Sequence, residues 1–141
     1  MRRYRLLPHT ADIMVQVEGG SLEELFENAA CALGSVIYDR RSVRCRQKKV
    51  FSVEGYDLED LLFNFLRFVF SLFSVDSFLW RNVGVRIERR GEEYRLSVLI
   101  NGEPFDDARH TVKEEVKAIT YHNLKVERVG SEFKATFIVD V

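Results

Sequence analysis

Carboxylates at the ends of two strand-like runs are the residues of this sequence best placed to do chemistry. Asp12 stands in "HTADIMVQVEGG", and Asp140 is the next-to-last residue of "FIVDV", with the α-carboxylate of Val141 one residue further on. Alternation puts Asp140 on the face of Thr136 and Ile138, and Asp12 on the face opposite Ile13 and Val15. If the two runs are neighbouring strands, Asp12, Asp140 and the Val141 terminus converge. Carboxylates gathered in this way repel and raise at least one pKa. A hard divalent cation removes the conflict, and all-oxygen ligation suits calcium, magnesium or manganese better than zinc.

The other reactive residue types give less. The three histidines, His9, His110 and His122, each lie in a polar knot, "PHTAD", "FDDARH" and "KAITYHN". A histidine taken singly is more often a hydrogen-bonded structural residue than a catalyst. Glu103, Asp106, Asp107 and His110 share "INGEPFDDARH", where Asn-Gly with acidic neighbours reads as the turn of a solvated hairpin loop. The sequence has no HExxH, CxxC, EF-hand loop, GxxxxGK[ST], GxGxxG or GxSxG pattern. No self-sufficient catalytic centre emerges from the motifs.

The elements that must position these residues follow from periodicity. Ala11, Ile13, Val15 and Val17 alternate with polar positions, a half-buried strand closed by Gly19-Gly20. A helix follows, with Ser21 as N-cap and Glu24 completing a capping box, and apolar residues recur at helical spacing to Leu33. "KKVFSVEG" is a strand, and a second helix opens at Asp57 with Asp60 in the same capping relation. Apolar residues of that helix cover an arc of roughly 220°, about twice a minimal surface stripe. Either the helix is covered on two sides, or Phe63 and Phe70 belong to a contact surface.

"WRNVGVRIERRG" and "EYRLSVLINGEP" read as a hairpin joined near Gly91, and "SEFKATFIVDV" as a last strand. Residues 112–116 are expected to form a helical turn, with a strand over 118–129. No internal repeat or linker divides the chain, so residues 1–141 form one domain. The expected fold is α+β: two helices packed on an antiparallel or mixed β-sheet, a single-domain sandwich.

Composition limits the functions open to the chain. With 21 basic and 22 acidic residues and a formal charge of −1, there is no global attraction to nucleic acid or membrane. A ligand must be recognised locally. "LLFNFLRFVFSLF" is broken by Asn64 and Arg67 and is too short to span a membrane, and the basic N-terminus is not a signal peptide. Cys31 and Cys45 lack metal-type spacing and read as reduced cytosolic thiols.

Taken in order, "PHTADI", "GGSLEELFENAACAL", "LEDLLFNFL", "GEPFDDARH", "VKAITYHNLKV" and "FIVDV" resemble the archease family, from Leu7 to the last residue. One departure is Phe65-Leu66-Arg67, where the family often carries Trp-Leu-Asn; it bears on packing or partner fit. The resemblance implies a cytoplasmic accessory protein of the RtcB-type RNA ligase, which joins tRNA halves. Such a protein promotes guanylylation and multiple turnover of the ligase, and meets tRNA and GTP only through it. It also implies a bound divalent metal, calcium in the family, held by Asp12, Asp140 and the Val141 carboxylate. Lys117 matches a basic position the family needs, where it would stabilise phosphate charge or simply pair with Asp12 or Asp140. His9, His110 and His122 would orient the acidic residues from behind. The competing readings are a stand-alone metal-dependent phosphoester hydrolase and a chaperone-like binding module using the phenylalanine-rich helix.

Overall fold

The computed structural model describes residues 3–9 and 12–141. Seven strands, two α-helices and one 3-10 turn (Arg40–Ser42) are present among them. The strands are β1 (Arg3–His9), β2 (Asp12–Gly19), β3 (Gln47–Gly55), β4 (Phe78–Arg90), β5 (Glu93–Pro104), β6 (Ala118–Val129) and β7 (Glu132–Asp140). Helix α1 spans Leu22–Ile37 and α2 spans Leu58–Ser74. This is the expected α+β sandwich, with one addition: the strands divide into two antiparallel sheets, ordered β1-β2-β7-β6 and β3-β5-β4.

The helices are packed between the sheets, α1 against β2 and β4, α2 against β3 and β6. That arrangement explains the wide apolar arc of α2. Its Phe63 ring meets Tyr121 of β6 edge-on at 5.0 Å, and Phe68 stacks on Phe51 of β3 at 4.1 Å. Phe70 also packs against the core. The helix is covered on two sides. At the centre, the Trp80 indole donates to the Ala30 carbonyl (2.8 Å). The Tyr38 hydroxyl accepts from the Trp80 N–H (2.7 Å) and donates to the Trp80 carbonyl (2.6 Å). Every polar atom of these two buried rings is thus paired, and burial pushes the Tyr38 hydroxyl pKa well up.

The chain contains an internal duplication, which corrects the expectation of no repeat. "EGGSLEELFEN" and "EGYDLEDLLFN" match at a constant spacing of 36 residues (18 to 54, 28 to 64). Each copy does the same work. Ser21 and Asp57 accept from the N–H groups of Glu24 and Asp60 (3.1 and 2.8 Å), while Glu24 and Asp60 accept from those of Gly20 and Tyr56 (both 3.0 Å). Asn28 and Asn64 donate to the carbonyls of Glu18 and Glu54 (2.6 and 2.9 Å). The hairpins repeat too, "IERRGEEY" against "VERVGSEF", with Gly91 and Gly130 both left-handed at φ 63° and 64°.

Each unit is therefore strand, helix, hairpin, with the three strands in the same lateral order: β2-β7-β6 and β3-β5-β4. The second unit is inserted between the helix and the hairpin of the first, so the spacing changes from 36 to 39 residues (91 to 130) and the similarity is split in the sequence. Across the units each helix protects the other's sheet edge. Glu23 and Glu27 of α1 accept from the N–H groups of Ile87 and Val85 on β4 (3.3 and 3.1 Å), and Glu59 of α2 accepts from that of Val126 on β6 (3.0 Å). Acceptors placed along an edge strand block its pairing with another chain.

Two further expectations fail. Residues 112–116 form no helical turn, because Val112 bridges to Tyr38 and the Lys113 N–H is taken by the Ile37 carbonyl at the end of α1 (2.7 Å). Asn101-Gly102 is no turn either, but lies inside β5. There β4 passes so close that a Cβ on Gly102 would stand 1.9 Å from the Leu79 carbonyl oxygen. Glycine is required at that position by backbone approach.

Candidate functional site

Strand pairing brings the two predicted carboxylates together. Asp12 is the direct cross-strand partner of Asp140, and Asp140 is in turn opposite Ala118 of β6. The inward residues Val15, Val17, Ala135, Phe137 and Val139 are buried in the core. Asp12 and Asp140 consequently share the outer face of the sheet, both half-buried. Side chains directly opposite on antiparallel strands are about 4.5–5.5 Å apart at Cβ, and like charges there disfavour pairing. A cation held between them offsets that cost. Val141 packs its side chain against the core one residue further on.

Lys117 joins the same end of the sheet through its main chain, its N–H donating to the Asp140 carbonyl at 2.7 Å. Continuing the Ala118–Asp140 register places Lys117 opposite Val141, and it is exposed. The donor set is one of hard oxygens, which fits calcium, magnesium or manganese. Among the described residues no three His, Cys, Asp or Glu side chains gather as a metal site.

The histidines separate. His9 pairs with Asp12 in the ladder through its backbone, but its side chain lies outside the described residues. His122 is exposed in the bulge of β6 between Thr120 and Lys125, four residues beyond Ala118, or about 13 Å along a strand. His110 does not orient the acidic pair, because both its ring nitrogens are committed elsewhere. Nδ1 accepts from the Asp106 N–H (2.9 Å), which leaves the proton on Nε2, directed at Glu103 Oε2 (3.0 Å).

Glu103 is the site residue that sequence reading passed over, assigned to a solvated loop yet only 2% exposed. Burial pushes its carboxyl up, but the Arg44 N–H (2.8 Å), the Arg109 guanidinium and His110 outweigh it and hold the pKa at about 2. No periodic signal marked it: Glu103 falls in the phase of Ser97, Leu99 and Asn101, opposite to the buried alternation of Leu96, Val98 and Ile100. This cluster clamps the segment before β3 to the end of β5. It has the character of a structural ion network, while Asp12 and Asp140 stand half-buried on the outer face of the other sheet.

Residues 4–141 match the model of the archease protein family. The chain is 41% identical to the protein archease of Pyrococcus abyssi and 41% identical to that of Thermococcus gammatolerans, in each case over the whole of both chains. Among solved structures, Methanobacterium thermoautotrophicum protein 1598 matches with a TM-score of 0.86 and 28% identity, covering 98% of each chain. A Thermotoga maritima protein described as an archease and possible chaperone matches with a TM-score of 0.60 and 26% identity, covering 96% of this chain and 94% of that one.

Proposed function

Because this chain belongs to the archease family, we propose that it is an accessory protein that activates an RtcB-type tRNA-splicing RNA ligase, promoting its guanylylation and multiple turnover. The observation that carries the reading is the Asp12–Asp140 pair on the outer face of the sheet, with Lys117 hydrogen-bonded beside it. Asp12, Asp140 and the main-chain carboxylate at Val141 would hold a divalent cation, calcium or in function magnesium or manganese. That cation supplies charge neutralisation for phosphate oxygens. Lys117 adds a mobile positive charge at the rim, and docking on the ligase positions both near its nucleotide. Positioning and electrostatics of this kind dominate phosphoryl-type transfer. The protein works in the cytoplasm, and reaches GTP through the ligase; no described helix is long and apolar enough to cross a membrane.

The test is guanylylation of a matched ligase with GTP and metal, in the presence of catalytic amounts of this protein. Wild type is expected to raise the rate at least tenfold, and Asp12→Ala and Asp140→Ala to abolish the gain while keeping the fold. No gain with folded wild type overturns the reading. The Thermotoga relative's description as a possible chaperone favours a second reading, which predicts protection of unrelated client proteins that survives Asp12→Ala.

A further inference from the structure

The duplication gives the acidic row a structural equivalent, and its chemistry is inverted. Asp12 corresponds to Lys48 at the spacing of 36 (12 to 48), and Asp140 to Asn101 at the spacing of 39 (101 to 140). The ladders agree: Lys48 is the partner of Asn101, as Asp12 is of Asp140. On the third strand Asn82 faces Asn101 where Ala118 faces Asp140. A row of two carboxylates in one unit is a row of one ammonium and two amides in the other, all of them donors.

The chain leading into this row is strongly basic. Residues 40–53 hold Arg40, Arg41, Arg44, Arg46, Lys48 and Lys49 and no acidic residue, so a formal +6 here leaves −7 for the rest of a chain that nets −1. The segment is fixed by guanidinium groups bound to carbonyl oxygens, which satisfy donors without cancelling charge. Arg81 donates to the carbonyls of Arg41 (3.2 Å) and Val43 (2.9 Å), Arg109 to that of Ser42 (3.3 Å), and Arg40 to that of Arg81. The bulge in β4 between Trp80 and Asn82 takes Arg81 out of the ladder and frees it for this task. Asp39 engages Arg41, and Glu103 lies 4.0 Å from Arg46. Among the described residues no carboxylate pairs with Arg44 or Lys48, and both are exposed.

We propose that this ledge, formed by Arg44, Arg46 and Lys48 with the amides of Asn82 and Asn101, binds the phosphate backbone of an RNA strand. An open row of cations and neutral donors on a fixed stretch of backbone suits a polyanion that lies along a surface. The choice of RNA over other polyphosphates rests on the ligase reading above. The near-neutral total conceals a surface that meets RNA directly, on the other sheet from the acidic site presented to the ligase.

The experiment is fluorescence anisotropy of a labelled single-stranded RNA of about 20 nucleotides with this protein alone, titrated between 50 and 300 mM salt. About four phosphate contacts predict a slope of log K against log salt of roughly −3. Arg44→Glu with Lys48→Glu is expected to lower affinity at least tenfold at 50 mM salt, with unchanged thermal unfolding. Lys134→Glu, on the other sheet, should leave it unaltered. Absence of binding by wild type at 50 mM salt, or binding indifferent to the double variant, overturns the proposal. So does loss of ligase association by the double variant without any RNA binding by wild type, which would make the ledge a contact for an acidic protein surface. Guanylylation in the absence of RNA separates this proposal from the ligase reading, since the double variant should retain that stimulation in full.

Discussion

At the scale of single residues, two acidic groups near strand ends have opposite environments. Asp140 faces another carboxylate across a strand pair, whereas Glu103 is surrounded by donors. The folded pKa of Glu103, about 2, lies below its ordinary 4.5. A depressed carboxyl contributes stability that is complete above its unfolded pKa and is lost as pH falls through the folded one. Urea unfolding followed from pH 5 to pH 2 should therefore show a steady loss of stability that is reduced in Glu103→Gln. At pH 7 that substitution should cost about 1–3 kcal/mol, since it weakens charge-assisted hydrogen bonds in a buried site.

The acidic pair is tested by its response to metal. Calcium at about 100 times its Kd should stabilise the folded state by about 2.7 kcal/mol, seen as a rise of several degrees in Tm. Asp12→Asn should lose that rise. An equal calcium shift in both proteins would remove the metal from this site.

At the scale of elements, the two helices are built to one specification. Ser21 and Asp57 occupy the same place in their units, and each satisfies one helix N-terminal N–H group. Ser21→Ala and Asp57→Ala should each cost about 1 kcal/mol, and the two losses should agree to within about half of that. Denaturant midpoints at constant m-value check this. A loss at one cap alone would mean that the duplicated caps no longer carry equal weight. The first helical turn has a further duty in both units, because Glu23 and Glu59 reach across to close an edge strand of the other unit. The helices are thus fasteners between units as well as core-forming elements.

At the scale of the whole molecule, duplication followed by divergence gives one frame with two strand-end rows of opposite character. The acidic row lies between β2 and β7 and the basic row between β3 and β5. Nesting one unit inside the other makes the sheets share both helices, so neither unit has a complete core of its own. Burial of Val15, Val17, Phe137 and Val139 behind one row, and of Leu96, Val98 and Ile100 behind the other, gives each row a rigid base.

Much of this was determined by sequence alone. Alternation fixed which side of β2 and β7 carries Asp12 and Asp140, because side-chain direction in a strand has a period of two residues. Capping residues marked the start of both helices within local reach of the chain, and the ordered motifs identified the family. What only tertiary structure decided depends on groups distant in sequence. Asn101-Gly102 has the composition of a turn, but the close passage of Leu79 keeps it in a strand. Residues 112–116 have helical spacing, but the end of α1 takes their hydrogen bonds. Glu103 has the look of a surface residue until Arg44, Arg109 and His110 converge on it. Periodicity and capping act between near neighbours and can be read from the chain, whereas register, burial and charge pairing arise only when distant segments meet.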